Sequence, residues 1–342
     1  MKNIATFGEI MLRLSPPGRE RLFQSPRLEA FFGGAEANVA VSLALFGHMV
    51  RCVSVLPENE IGEAAAAELR KWGVSTDFIV RKGSRLGIYF AEIGAGPRPS
   101  KVVYDRGYSP LAESGPGEID WNRTLTGIDW FHTTGITPAI SASAAELTFE
   151  AVKTAKAGKI TVSLDLNYRA KLWKYGKKPP EVMRELLRWA DIAVANEEDC
   201  QNSLGMACEA DPACGQVEPS AYEKLTAAVF REFPNLKIIA IRLRECRDTD
   251  CNGWSAVMRT RKEFLAGTRY ELSSIVDRIG AGDAFAAGLI HGLENEGSDR
   301  GALEFAIAAS CLKHTIPGDF NLVGEKDVRA LLQGGGSGRI QR

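Results

Sequence analysis

The chain has 342 residues, of which 45% are hydrophobic and 25% are charged, and its formal net charge is −1. These values are typical of a soluble globular protein of roughly one or two domains, which needs neither disulfides nor a structural metal to fold. The near-zero charge argues against a dedicated nucleic-acid binder, which usually has a strongly basic face. Glycine accounts for 34 of the 342 residues, about a tenth, against a usual level of about 7%. This excess predicts many tight turns.

No export or membrane segment is predicted. The apolar run within residues 1–9 is too short, and too soon interrupted by a charged residue, to be the apolar region of a signal peptide. No stretch approaches the ~18 consecutive apolar residues of a membrane-spanning helix. The seven cysteines are an odd number, and the neighbouring Cys200, Cys208 and Cys214 lack the Cys-x-x-Cys spacing of structural zinc sites. We therefore expect reduced thiols and a cytoplasmic protein.

Strand and helix patterns alternate along most of the chain. In order, they are strand 4–8, helix 37–46, strand 51–56, helix 62–72, strand 130–132, helix 143–157, strand 160–166, helix 180–189, strand 191–195, helix 220–232 and strand 237–243. Gly47 and Gly73 end the first two helices. Continuously apolar strands such as 238–241 are typical of a parallel sheet that helices cover on both faces. The alternation predicts a doubly wound α/β domain.

Two segments, residues 10–35 and 84–106, carry strand patterns without intervening helices. In the second, the runs 87–93 and 101–106 predict a hairpin around a turn rich in glycine and proline. Such strands could form a small antiparallel sheet over one edge of the main domain. The predicted organisation is a main domain of residues 1–9, 36–83 and 107–333, a β-sheet lid of residues 10–35 and 84–106, and a flexible Gly-rich tail of residues 334–342.

The sharpest motif runs from Asp277 to Asp283, and small apolar residues follow it as far as Gly292. The second part predicts a buried helix, so Gly280-Ala281-Gly282 would form an anion-binding helix N-terminus. The helix dipole would favour the ionised form of Asp283, as a general base requires. A base beside an anion site suits phosphoryl transfer to a hydroxyl group. An aspartate that only caps the helix remains the alternative for Asp283 alone.

A second motif, Phe32-Gly33-Gly34-Ala35-Glu36-Ala37-Asn38, precedes the first predicted helix. Gly33 and Gly34 would allow the backbone to approach a polyhydroxyl ligand, and Asn38 offers a donor and an acceptor to sugar hydroxyls. A plain turn with a helix cap explains the same residues equally well. The sequence has no Walker loop and no Gly-x-Gly-x-x-Gly after the first strand, which excludes the common ATPase and dinucleotide-binding motifs.

Together the two motifs resemble the signatures of the ribokinase-like (PfkB) carbohydrate kinases. Further segments resemble the bacterial 2-keto-3-deoxygluconate kinases of that family, namely Tyr104-Asp105-Arg106, residues 134–139, Asp165-Leu166-Asn167-Tyr168-Arg169, Leu172-Trp173 and Asn196-Glu197-Glu198-Asp199. The likeness covers almost the whole chain. It implies a ribokinase-like three-layer α/β/α sandwich with a small β-sheet lid. It also implies ATP-dependent phosphorylation of the terminal (6-) hydroxyl of 2-keto-3-deoxygluconate, with Mg²⁺.

The resemblance also implies roles for individual residues. Asp283 would be the base, and Gly280, Ala281 and Gly282 would form the anion hole. The sugar pocket would contain Gly33, Gly34, Asn38, Tyr89, Tyr104, Arg106, Ile136 and Arg169. The nucleotide would contact Asn196, Arg242, Gly282 and His314, and the metal Glu198 or Asp199. The other three histidines, His48, His132 and His291, are expected to be structural.

Arg106 and Arg169 determine which class of substrate is expected. A keto-acid has a terminal carboxylate, which Arg106 and Arg169 could bind through paired N–H donors. Alternatively, Arg106 is a solvated strand residue, Arg169 pairs with a structural acid, and Tyr89 and Tyr104 belong to the lid core. Kinases of the same fold for fructose, ribose or 5-keto-2-deoxygluconate, and a non-catalytic sugar-binding regulator, remain alternatives. An exposed lid edge also predicts a possible homodimer.

Overall fold

A computed structural model describes residues 1–207 and 219–334. Cys208 and Cys214 of the predicted cysteine group, and residues 335–342 of the predicted tail, lie outside the described residues. No helix in the described ranges is long and apolar enough to cross a membrane. The cytoplasmic location remains a prediction.

The described elements follow the predicted alternation. The strands are β1 (Asn3–Phe7), β2 (Met11–Ser15), β3 (Glu29–Gly33), β4 (Met49–Val53), β5 (Val55–Leu56), β6 (Val80–Arg81), β7 (Gly87–Glu92), β8 (Lys101–Asp105), β9 (Trp130–Thr134), β10 (Thr161–Asp165), β11 (Ile192–Ala195), β12 (Ile238–Cys246), β13 (Asn252–Thr260), β14 (Phe264–Ala266) and β15 (Tyr270–Leu272). The helices are α1 (Ala35–Leu45), α2 (Glu60–Lys71), α3 (Trp121–Thr124), α4 (Thr137–Ile140), α5 (Ala142–Ala157), α6 (Pro179–Leu187), α7 (Glu197–Leu204), α8 (Pro219–Glu232), α9 (Ala281–Asn295), α10 (Asp299–Lys313) and α11 (Glu325–Leu332).

The main sheet has the order β14-β13-β12-β11-β10-β9-β1-β4, and β15 pairs with β13. Strands β4, β1, β9, β10, β11 and β12 run parallel. Ile4 and Ala5, neighbours in β1, belong to separate buried clusters, one packed with α1, α9 and α10 and the other with α5, α6 and α8. Successive side chains of a strand point to opposite faces, so helices cover both faces of the sheet. The predicted three-layer α/β/α architecture is confirmed.

Two details of the main sheet differ from the prediction. The predicted strand 51–56 divides at Ser54, because β4 pairs with β1 whereas β5 pairs with β6 in a separate two-stranded sheet. The other difference is an antiparallel edge formed by β13, β14 and β15. β12 continues into β13 through the turn 247–251 rather than through a crossover helix, so the alternation of strand and helix carries no signal for this edge.

The second sheet has the order β3-β2-β7-β8 and lies within the two segments predicted as a lid. It is mixed rather than antiparallel as expected, because β2 and β7, which come from different segments, pair in parallel. Tyr89 and Arg13 are buried on its inner face, while Leu12, Leu14, Phe90 and Val103 on its outer face are partly or fully exposed. The free end of the lid contacts the turn between β12 and β13. There the Thr249 amide donates to the Gly96 carbonyl at 3.0 Å, and the Gly96 amide donates to Asp250 Oδ2 at 2.9 Å.

Candidate active site

A cavity of about 440 Å³ lies between the lid and the carboxyl ends of the parallel strands. Clefts at this edge of a parallel sheet are the usual ligand sites of α/β proteins. The predicted site residues that line it are Gly34, Asn38, Tyr89, Tyr104, Arg106, Ile136, Arg169, Asn196, Glu198, Arg242, Gly280, Ala281, Gly282, Asp283 and His314. Gly33 and Asp199 do not line it. A Cβ at Gly33 would lie 2.4 Å from Asp319 Oδ1, so this glycine packs beneath the cavity wall.

The Gly280-Ala281-Gly282 segment forms the start of α9. Gly280 is the N-cap in a left-handed conformation (φ 86°), and a Cβ there would lie 2.0 Å from the Asp319 carbonyl oxygen. The Ala281 amide donates to the Arg278 carbonyl at 3.2 Å. Among the described residues, the amides of Gly282 and Asp283 have no acceptor. These two free N–H groups at a helix N-terminus can bind an anion.

Asp283 is buried in the first turn of α9, and one of its carboxylate oxygens is bound by a side chain of α1. Asn38 Nδ2 donates to Asp283 Oδ2 at 2.6 Å, and Asn38 Oδ1 accepts from the Gly34 amide at 3.3 Å. Burial raises the pKa of Asp283 to about 6, although the Asn38 hydrogen bond lowers it. Desolvation by burial thus opposes the effect expected of the helix dipole on this carboxyl. At neutral pH the group is still mostly ionised.

Arg242 contacts the Gly280-Ala281-Gly282 segment, which we call the anion-binding loop because it is the candidate anion site. Its guanidinium forms two hydrogen bonds with Asp165, at 2.7 and 3.0 Å, and lies 3.4 Å from Asp199 Oδ2. The same Nη1 donates to the Gly282 carbonyl at 3.1 Å, and a Cβ at Gly282 would lie 2.7 Å from it. Arg242 thus lines the cavity, as expected for a nucleotide contact, and also explains why residue 282 is glycine.

The carboxylates predicted as metal ligands have different surroundings. Asp199 accepts from the amides of Asn196 and Tyr168 at 2.8 and 2.7 Å, so one oxygen binds the start of α7 and the other binds the loop after β10. Glu198 is exposed and lines the cavity. No cluster of three or more His, Cys, Asp or Glu side chains that could hold a metal ion occurs in residues 1–207 or 219–334. A single accessible carboxylate fits Mg²⁺, which proteins commonly bind through one carboxylate plus substrate phosphates.

Tyr89, Tyr104 and Arg106 reach the cavity from the lid, whereas Arg169 follows β10 in the main domain. Tyr89 and Tyr104 face each other across β7 and β8, with ring centroids 6.2 Å apart. Arg106 is buried rather than solvated and forms an ion pair with Glu9, while its Nε has no hydrogen-bond partner among the described residues. Arg169 is half-buried, and its Nη1 donates to the Tyr168 carbonyl at 2.8 Å.

The histidines do not provide charged groups to the cavity. His314 forms part of the wall, with Nδ1 2.8 Å from the Ser310 carbonyl oxygen and its ring 5.0 Å from Trp254. Burial lowers the pKa of His314 to about 4, so it is neutral at physiological pH. His48 and His291 contact each other at 3.0 Å, and His132 contacts Ser163.

Several lining residues were not among the predicted site residues: Met11, Ala35, Val102, Asn167, Arg244, Trp254, Arg278, Ile279 and Asp319. Asn167, Arg278 and Ile279 lie inside motifs that the sequence had already singled out. Arg244 and Trp254 are opposite each other in the antiparallel pair β12–β13, and this pair was not predicted. Trp254 is buried, and its indole N–H has no partner among the described residues.

Comparison with protein families matches residues 1–225 and 268–321 to the pfkB family carbohydrate kinases. The chain belongs to this family. It is 32% identical to a 2-dehydro-3-deoxygalactonokinase of Haloferax volcanii, over 98% of both chains. It is similar to the crystal structure of the 2-dehydro-3-deoxygluconokinase of Thermotoga maritima, with 44% identity, a TM-score of 0.91, and 97% of this chain and 100% of that chain covered. A putative 2-keto-3-deoxygluconate kinase of Enterococcus faecalis gives 30% identity and a TM-score of 0.90, with 100% of this chain and 99% of that chain covered.

These findings confirm the predicted resemblance, the ribokinase-like fold and the assignment of the chain as a sugar kinase. The terms 2-dehydro and 2-keto describe the same carbonyl group, so the names of these relatives agree with the resemblance found in the sequence. The roles of the individual site residues remain proposals.

Proposed function

We propose that this sugar kinase transfers the γ-phosphoryl group of ATP to the 6-hydroxyl of 2-keto-3-deoxygluconate, giving 2-keto-3-deoxy-6-phosphogluconate and ADP. The observation that carries the proposal is that one cavity contains a carboxylate beside free helix amides together with Arg106 and Arg169, two of the five arginines that line it. Asp283 accepts the proton of the hydroxyl as the oxygen attacks phosphorus. The amides of Gly282 and Asp283 hold the charge that develops on the phosphoryl oxygens.

The substrate carboxylate is the proposed ligand of Arg106 and Arg169. Guanidinium groups bind carboxylates through paired, charge-assisted hydrogen bonds. The buried Nε of Arg106, which has no partner among the described residues, supports this role, because buried polar atoms normally have one. Gly34, Asn38, Tyr89, Tyr104 and Ile136 complete the proposed sugar pocket, and Gly33 supports it from behind Asp319.

ATP and Mg²⁺ are the proposed co-substrate and metal. The triphosphate would extend from the anion-binding loop toward Asn196, Arg242 and His314. Glu198 is the better candidate for the metal, because the oxygens of Asp199 already accept backbone hydrogen bonds. When bound, Mg²⁺ neutralises phosphate charge during transfer. The lid above the cavity would exclude water and limit wasteful hydrolysis of ATP.

A second candidate substrate is the galactonate epimer, 2-keto-3-deoxygalactonate. The Haloferax volcanii relative, which matches nearly the whole chain, is named for this sugar. Both epimers have the same carboxylate and the same terminal hydroxyl. They would therefore use Arg106, Arg169 and Asp283 in the same way and differ only in contacts to one hydroxyl group.

An ADP-release assay with both keto-acids, fructose and ribose tests the substrate class. We expect kcat/KM for a 2-keto-3-deoxy acid to exceed that for either neutral sugar by roughly 10²-fold or more, since buried polar groups without their partner discriminate strongly. The ratio between the two epimers then identifies the sugar. Comparable kcat/KM values on the acids and on fructose would contradict the proposal, and reactions without sugar give the ATP-hydrolysis background.

We also propose that the lid pairs with the lid of a second copy of the chain. Its outer face presents half-buried Leu14 and Phe90 beside Val103, which is 52% exposed, and Phe23, which is 70% exposed. Contiguous exposed apolar side chains mark interaction sites. We expect a dimer by light scattering and a monomer for Val103→Lys. Ile61→Lys, at another exposed apolar residue on α2, is the control, and a monomeric wild type would exclude the pairing.

A further inference from the structure

The last residue of α10, Lys313, has a completely buried side chain. Its Nζ donates to the Ile316 carbonyl oxygen at 2.8 Å. Lysine is almost never fully buried unless its charge is paired. The side chain does not line the cavity, so Lys313 touches neither sugar nor nucleotide in the proposed reaction.

Two carboxylates share this interior with Lys313 and with Arg13 from the lid. Arg13 Nη2 lies 2.7 Å from Asp277 Oδ2, and its Nη1 lies 3.1 Å from Asp319 Oδ2. Asp319 also accepts a hydrogen bond from the Tyr89 hydroxyl. With both carboxylates ionised, Arg13 and Lys313 together balance their charge. Arg13 alone would leave one uncompensated negative charge in the protein interior.

This cluster is in direct contact with the anion-binding loop. A Cβ at Gly280 would lie 3.2 Å from Lys313 Cε and 2.0 Å from the Asp319 carbonyl oxygen. Asp277 Oδ1 accepts from the Ile279 amide at 3.0 Å and therefore fixes the backbone just before the loop. The cluster is buried, so any net charge in it is weakly screened and acts on the phosphoryl oxygens that the loop would bind.

We propose that Lys313 is a positioning residue for phosphoryl transfer, whose buried ammonium keeps the cluster under the Gly280–Gly282 loop neutral so that the loop can hold an anionic group. The inference rests on the function proposed above, in which that loop binds the transferring phosphoryl group. Arg13 cannot replace the lysine, because its two terminal nitrogens already bridge Asp277 and Asp319.

The test compares Lys313→Met, which removes the charge from a side chain of similar length, with Lys313→Arg, which keeps it. Lys326→Met, at an exposed lysine of α11, is the matched control. We expect Lys313→Met to lower kcat by about 10- to 100-fold, less than the roughly 10²–10³-fold loss for a donor that touches the oxyanion. The KM for the keto-acid should change little, and Lys313→Arg should recover most of the kcat.

The dependence of kcat on pH provides a second readout that a purely structural lysine would not affect. Burial lowers the pKa of Lys313 to about 8, although Asp277 and Asp319 oppose the shift. The other charged or titratable groups that act on it are Arg13 on β2, Asp283 on α9 and His314 at the end of α10. Wild-type kcat should therefore fall as the pH rises above about 8. Lys313→Arg should keep its kcat at higher pH, because a guanidinium does not lose its proton there.

The outcomes separate this inference from the proposed function. A wild-type enzyme without activity on any sugar contradicts the function itself. An active wild type with an equally active Lys313→Met variant overturns the role of Lys313. Equal losses of kcat in the Met and Arg variants indicate packing rather than charge and also overturn it. If neither variant folds, a wild-type kcat that stays constant from about pH 7 to about pH 9 overturns it, because that range includes the pKa of Lys313.

Discussion

Replacing Asp283 by asparagine is expected to lower kcat by about 10²–10⁴-fold, the usual contribution of a general base. Asparagine has the same shape, and its side-chain oxygen can still accept the hydrogen bond from Asn38. It cannot take the proton of a sugar hydroxyl. The KM for the sugar should therefore change far less than kcat, as measured by ADP release at saturating ATP.

The wild-type pH profile is a companion measurement. Because burial raises the pKa of Asp283 to about 6, the free enzyme has an ionised base only above that pH. The value of kcat/KM should rise as the pH increases through about 6, and this limb should be absent in the residual activity of Asp283→Asn. Asp299→Asn, which changes an acid in the first turn of the adjacent α10, is the control. Near-normal turnover of Asp283→Asn would remove Asp283 from the role of base.

The parts of the fold that follow local rules could be predicted from the sequence. Gly47 and Gly73 end helices because both have left-handed backbone angles, which glycine adopts readily. The Gly280–Asp283 motif was identifiable because a glycine pair before a run of small apolar residues is itself a local pattern. The antiparallel edge of the main sheet was not predicted, because a hairpin after β12 replaces the helix that alternation leads one to expect.

Long-range pairing of charges could not be predicted from the sequence. Arg106 and Arg169 were assigned to the same role, yet Arg106 pairs with Glu9, 97 residues earlier in the chain. Arg242 was expected to contact a nucleotide, but it also binds Asp165, Asp199 and the backbone of the anion-binding loop. Such partners are far apart in the sequence and are brought together by the fold, so the spacing of residues in the sequence does not indicate them.

The ion pair with Glu9 also decides which arginine can test the substrate class. Arg106→Ala would leave Glu9 as a buried carboxylate without its partner, and breaking a buried pair in this way costs about 3–5 kcal/mol of stability. Loss of activity in that variant would not distinguish substrate binding from folding. Arg169 is half-buried, and among the side chains that the structure describes it forms no ion pair. Arg169 is therefore the arginine whose removal reports on the ligand.

Arg169→Ala is expected to raise the KM for the keto-acid by roughly 10- to 100-fold, because a hydrogen bond to a charged group contributes about 1.5–3 kcal/mol. Slow turnover of a neutral sugar such as fructose should change little, since fructose has no carboxylate for the guanidinium to bind. Arg169→Lys should recover part of the loss, because an ammonium keeps the charge but not the paired donors. Arg85→Ala, at a partly exposed arginine after β6, is the matched control for loss of a cation near the lid. An equal rise in KM for acid and neutral sugars would show that Arg169 shapes the pocket without recognising the carboxylate.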